Sequence, residues 1–254
     1  MSIRNQFDQV RSTTRVESSA IDQGLRSYML NIYNYMASGV LVTGIVALLL
    51  FKYSVVVNDA GSIVGYTALG KAIYNSALMW VIALAPLAIV FYMSFGFQKM
   101  STARAQTLFW VFAVLMGASL SSIFIAFTGL SIARVFFVAA GTFAAMSLYG
   151  YTTKRDLTKL GSFLIMGLIG IIIAMLVNIF LKSSQLDFIV SVLGVLIFIG
   201  LTAYDTQKIK DMYFMVGRGS EAIGKLSVMA ALTLYLDFIN LFTMLLQLFG
   251  QRRD

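Results

Sequence analysis

Of the acidic residues in this chain, two fall in or at the edge of long apolar stretches: Asp205 and Asp237. Asp237 stands in the middle of the last stretch, Ala230-Ala-Leu-Thr-Leu-Tyr-Leu-Asp-Phe-Ile-Asn-Leu-Phe-Thr-Met-Leu-Leu-Gln-Leu-Phe249. Counted from Leu226 it lies ~16 Å along a helix, about half of a hydrocarbon core ~30 Å thick. An ionised aspartate at that depth costs about 2.5–3.5 kcal/mol. It therefore needs a partner, a water-filled cavity, or a proton. Asp205 closes the preceding stretch, Gly200-Leu-Thr-Ala-Tyr-Asp-Thr-Gln-Lys-Ile-Lys210, and is the one acid the chain can bring to it.

Two carboxyl groups within hydrogen-bond reach do not both ionise cheaply; they titrate together and share a proton. Such a pair senses pH without histidine. Carboxylate oxygens are also the hard ligands that Ca²⁺ prefers, although tight binding takes about 6–8 oxygens. Asn240 lies on the Asp237 face of its helix, and Tyr204, Thr202 and Thr233 add few further oxygens. Asp205 and Asp237 thus read as a transient Ca²⁺ site rather than a storage site. Two plainer readings stand beside this one. Asp205 is a helix-end charge paired with Lys208 three residues on, and Asp237 makes a structural interhelical hydrogen bond. Tyr235, Asn240 and Gln247 read as interhelical or interfacial polar groups.

Composition says what must position the acids. The chain has 254 residues, 59% hydrophobic and 12% charged, where soluble domains are about 25% charged. This is a membrane protein. With no cysteine and no histidine, disulfides, thiolate or imidazole metal sites, a histidine base and a Ser-His triad are excluded. No cofactor is expected. The net charge of +8 reads as a topology signal rather than a nucleic-acid footprint.

Seven apolar stretches, roughly 30–51, 76–97, 106–127, 133–151, 161–181, 188–207 and 226–249, each approach the ~20 residues of a spanning helix. Lipid leaves no partner for exposed backbone groups and the alternation of a barrel is missing, so the expected fold is all-α with seven transmembrane helices. Residues 1–28 are polar and lack a signal-peptide core, reading as a cytoplasmic tail. Residues 29–250 form the membrane domain and 251–254 a short carboxyl-terminal tail. The loop 52–75 is the longest outer connection. Gly117 with Ser121, Gly141 with Ala145, and Gly167 with Gly170 put small residues along helix faces, as close helix packing requires.

Orientation follows from the basic residues. With the amino terminus inside, the inner side holds Arg4, Arg11, Arg15 and Arg26 in the tail, Lys99 and Arg104, Lys154, Arg155 and Lys159, and Lys208, Lys210, Arg218 and Lys225. The other side holds Lys52, Lys71, Arg134, Lys182, Arg252 and Arg253. The bias favours a cytoplasmic amino terminus and a periplasmic carboxyl terminus. A re-entrant last stretch would instead return Arg252 and Arg253 to the inner side.

The stretch Ala203-Tyr-Asp-Thr-Gln-Lys-Ile-Lys210, followed by Ala231-Leu-Thr-Leu-Tyr-Leu-Asp-Phe-Ile-Asn-Leu-Phe242, resembles the transmembrane Bax inhibitor motif family. The similarity is to its bacterial Bax inhibitor/YccA-like branch, YbhL-like inner-membrane proteins included. Leu120-Ser-Ser-Ile-Phe124 and Met146-Ser-Leu-Tyr-Gly-Tyr-Thr-Thr-Lys-Arg-Asp-Leu157 support it, and the match covers about 30–250. The resemblance implies a last helix surrounded by the other six, and a pH-sensitive calcium leak of the inner membrane governed by a di-aspartyl pair, here Asp205 and Asp237. It also implies a basic lock after the second helix. This chain has Gln98-Lys99-Met100 there and Arg104 further on, which leaves Lys99 and Arg104 as the candidates. An acid of the family's second helix has no counterpart in the uncharged run Ala83 to Pro86.

Three functions compete on this reading. A cation leak gated by the proton-sharing pair is the first. The second is a non-transporting regulator that binds a membrane AAA protease of the FtsH type, for which the polar tail would be the handle. An intramembrane aspartyl protease is the third. Tyr204-Asp205 imitates its first motif, but Leu234-Tyr-Leu-Asp237 lacks the glycines that would open the second helix to a peptide, so no enzyme is expected.

Overall fold

A long apolar run in lipid must satisfy its own backbone groups, and the α-helix does so within one segment. The computed structural model of the protein describes residues 3–58, 62–215 and 220–253. Arg218 and the side chains of Arg4, Arg11 and Arg15 lie outside what is described. Seven helices are long and apolar enough to cross a membrane: Gln23–Ser54, Leu78–Lys99, Thr102–Ala126, Gly129–Thr152, Thr158–Leu181, Ser184–Met215 and Glu221–Phe249. The protein is an all-α membrane protein, and each of the seven expected stretches coincides with one of these spans, 76–97 and 106–127 overrunning theirs by two residues and one.

In chain order the helices are α1 (Ile3–Ser54), α2 (Ala68–Tyr74), α3 (Leu78–Gly96), α4 (Thr102–Leu120), α5 (Ile123–Ala126), α6 (Gly129–Thr152), α7 (Thr158–Leu181), α8 (Ser184–Met215) and α9 (Ser220–Phe249). Helix α1 runs without a break across the expected boundary at residue 28 between tail and membrane domain. The long connection 52–75 carries secondary structure of its own. It forms an antiparallel hairpin of β1 (Val55–Val57) and β2 (Ile63–Tyr66), and then α2, whose N-cap Thr67 accepts from the Gly70 N–H. The β-branched run Val55-Val-Val57 before Asn58-Asp-Ala-Gly61 carries the signal for that hairpin.

Helix α9 is the most enclosed span. In its most apolar stretch 72% of residues are buried, against 39% in α8 and less elsewhere. Its main packing partners are α1, α4, α6 and α8, while α3 lies chiefly on α4 and α7 on α8. A ring of all six helices around α9 is therefore not confirmed. Tyr235, fully buried on α9, packs edge-on against Phe109 and Phe112 of α4. Its hydroxyl bonds Thr43 Oγ1 of α1 at 2.6 Å, and Thr43 donates to the Ala113 carbonyl of α4. Gln247 Oε1 accepts from Ser191 of α8. Both side chains are interhelical groups, as their positions in the sequence indicated.

The two ends of the bundle are distinguishable. One carries the start of the first span, where the Tyr28 ring packs against Tyr213 of α8, together with the α3–α4 and α6–α7 links and the facing ends of α8 and α9. The other carries the hairpin. At that end the residues after α9 return as an extended strand: Phe127 pairs with Arg252, and the Arg253 N–H donates to Ala126. Helix α9 thus runs the length of the bundle, and Arg252 and Arg253 lie at the end opposite the start of the first span.

Candidate functional site

Asp205 does not close its helix. Helix α8 continues to Met215, ten residues on, so Asp205 sits ~15 Å inside that end at 1.5 Å per residue. In this extension of α8 the polar residues Thr206, Gln207 and Lys210 each have a partner on a neighbouring element. Thr206 Oγ1 bonds Ser147 Oγ of α6 at 2.9 Å, and Ser147 bonds the Tyr33 hydroxyl of α1 at 2.5 Å. Gln207 accepts from the Leu157 N–H and donates to the Arg155 carbonyl, satisfying both sides of the α6–α7 link. Lys210 donates to the Tyr151 carbonyl at 2.9 Å and lies over its ring.

Two glycines let the neighbouring helices close on α8 beside the acid. A Cβ at Gly150 of α6 would collide with the Ala203 backbone, and one at Gly161 of α7 would enter the Tyr204 ring. Tyr204 therefore turns toward α7, and its bearing on the pair is positional. Among the small residues noted in the sequence, Gly117 meets Thr43 and Val46, and Gly167 meets Ile197, whereas Gly141 and Gly170 face open space. Gly150 and Gly161 do the positioning, and no small-residue pattern distinguished them.

Opposite this latched stretch, α9 presents Asp237, only 6% exposed. The carboxyl groups of Asp205 and Asp237 lie within hydrogen-bonding reach of each other. Asp237 Oδ2 is sealed from solvent and takes no bond from any other described donor. Two ionised carboxylates could not satisfy that oxygen, because neither donates. A carboxyl group that keeps its proton can donate to the other. Asp205 also opens to a crevice of about 290 Å³ between the ends of α3, α8 and α9, lined by Ser94, Phe97, Lys208, Met229 and Thr233 among others. The pair thus has one acid enclosed and one at the foot of an opening.

The basic group acting on Asp205 is Lys208, which lines the same crevice and lies 5.9 Å over the Tyr204 ring. Lys99 and Arg104 are exposed and line no part of the crevice. Asn240 is half-buried one turn beyond Asp237, with its backbone carbonyl accepting from Thr243. Among the described residues no group of three or more Asp, Glu, His or Cys could hold a metal. A cation at the pair would have two carboxylates and water.

A seven-span helical membrane protein with paired acids on its last two helices is the class this geometry defines. A family model described as inhibitor of apoptosis-promoting Bax1 matches residues 25–254. The chain belongs to the Bax inhibitor-1 family. It is 50% identical over 242 residues to uncharacterized protein RP147 of Rickettsia prowazekii, covering 95% of this chain and 97% of that one. To inner membrane protein YbhL of Escherichia coli it is 46% identical over 236 residues, or 91% and 94% of the two chains. A Caulobacter vibrioides relative is 42% identical over 240 residues, 92% of each.

Proposed function

We propose that the protein is a pH-sensitive cation leak of the bacterial inner membrane, with Ca²⁺ as cargo and the Asp205/Asp237 pair as gate. The observation that supports this is the enclosed Asp237 carboxyl, whose Oδ2 takes no bond from any other described donor and which lies within hydrogen-bonding reach of Asp205. With the proton in place the pair ties α8 to α9 and the path is closed. Loss of the proton leaves two repelling carboxylates, which separates the helices and offers hard oxygens to a cation entering by the crevice. The sparse donor set suits passage rather than retention.

The membrane follows YbhL, whose name places it in the inner membrane. The basic residues favour a cytoplasmic crevice and a periplasmic carboxyl terminus. Unbroken helix through both acids favours a leak over proteolysis, since no backbone is opened to admit a peptide. The experiment is Ca²⁺ flux into proteoliposomes holding the purified protein, measured from about pH 6 to about pH 8. Flux that rises with pH supports the gate, by up to about tenfold per unit if one proton controls it. No flux at any pH sinks it.

A further inference from the structure

A large cavity lies away from the acids. It is a groove of about 960 Å³ between α1 and α6, two helices that make no extended contact. Small residues, Ala37 and Gly44 on α1 and Ala140 and Ala144 on α6, line the gap beside larger apolar side chains and leave it unfilled. Both walls are present from Tyr151 to Phe136 of α6, which is ~22 Å at 1.5 Å per residue. That is longer than one ~15 Å leaflet, half of a hydrocarbon core of ~30 Å. The lining is almost wholly apolar, and its floor is Phe238 of α9, the residue after Asp237.

The mouth differs in chemistry. Arg26 and Leu30 line the groove and also a second recess of about 380 Å³, bordered by Gln23, Ser27, Asn31 and Asn34. Lys210 is close by, bonded to the carbonyl of Tyr151 at the groove's rim. An apolar slot as deep as a leaflet opens into a polar recess with basic groups at its edge. That order of chemistry matches one molecule, an anionic phospholipid lying along the bundle.

We propose that the α1–α6 groove binds an anionic phospholipid, with an acyl chain against Phe238 and a phosphate headgroup at Arg26. The site is independent of whether the protein conducts cations. It would put a lipid chain in contact with the residue beside Asp237. The hydroxyl chain Tyr33–Ser147–Thr206 runs from the same groove to the residue beside Asp205, so occupancy would touch both acid-bearing helices.

The test is native mass spectrometry of the purified protein with equimolar phosphatidylglycerol and phosphatidylethanolamine of the same chains. Phosphatidylglycerol is expected to stay bound at collision energies that strip the zwitterionic lipid. Arg26→Ala should weaken that preference about fivefold, the worth of one basic residue at an anionic surface. Gly44→Phe should abolish the bound lipid. It should fold, because a Cβ at Gly44 meets no atom within 4 Å. Gly170→Phe, equally unobstructed but on the far helix α7, should leave the lipid in place. Equal retention of the two lipids, or retention in Gly44→Phe matching that in Gly170→Phe, overturns the proposal. So does a dimer that Gly44→Phe dissociates, since the groove's occupant would then be a second copy.

Discussion

The two carboxyl-bearing helices are held in place by opposite means. Around Asp205, α8 is fixed by directional bonds: Thr206 to Ser147, Gln207 to both sides of the α6–α7 link, and Lys210 to Tyr151. Around Asp237, α9 is held by burial, with Leu234, Tyr235, Phe238 and Leu241 all enclosed. Beside the acid α8 is set mainly by hydrogen bonds, whereas α9 is set mainly by apolar burial, with the Tyr235–Thr43 bond as its directional tie. If the pair gates as proposed, the difference makes Asp205 the more directionally fixed acid and Asp237 the one held more by packing.

The largest effect is expected from Asp237→Asn. The amide keeps the shape and can donate to Asp205, so the bundle should fold while the pair no longer gains or loses a proton. Ca²⁺ flux in proteoliposomes should become flat across pH. A pH profile identical to that of the unmodified protein would remove the pair from the mechanism.

Next come changes to the fixed side. Gly150→Leu places a side chain in the Ala203 backbone. Overpacking of this kind costs about 1–3 kcal/mol; a lower thermal unfolding temperature in detergent, together with altered flux, is the expected result. Gln207→Ala leaves the Leu157 N–H and Arg155 carbonyl without their partner, for a loss of about 1–3 kcal/mol. If Asp205 is fixed by these bonds, Gln207→Ala should also broaden the pH dependence of flux. Unfolding at a lower temperature with an unchanged profile would mean that the latch serves stability alone.

Much of this was legible in the chain. Seven runs of suitable length leave helices as the one architecture lipid permits, and each appears. The acid pair could be read because Asp237 has no cheap place in a membrane without a partner. The Ala203–Lys210 motif was visible as a pattern, but its physical reason was not. Thr206, Gln207 and Lys210 look like an exposed helix end in sequence, and only the position of α6 and α7 shows that each is spoken for. The sequence offers Lys208 as the charge partner of a helix-end Asp205, and Lys99 and Arg104 as the candidate lock. The structure puts Lys208 in the crevice and the other two on the surface. The groove between α1 and α6 had no sequence signal, because a gap is a property of two helices failing to meet.

The smallest effect is expected at Asp156, an exposed acid on the α6–α7 link that Gln207 holds from the other side. Its Oδ1 accepts from the Thr158 N–H at 2.9 Å at the start of α7. Hydrogen bonding from the Thr158 side chain and backbone, assisted by Lys159, holds this carboxyl below the ordinary aspartate value. A lowered value means that its support for the fold is complete above the unfolded-state value and fades only as pH falls through the lower folded one. Across the range where flux is measured Asp156 is therefore ionised throughout and has no proton to exchange. Asp156→Asn should leave the pH profile of flux where it is, with at most a slight loss of stability. A shift of that profile in Asp156→Asn would move the sensor from the buried pair to the exposed link, and the contrast between the two acid-bearing helices would lose its functional meaning.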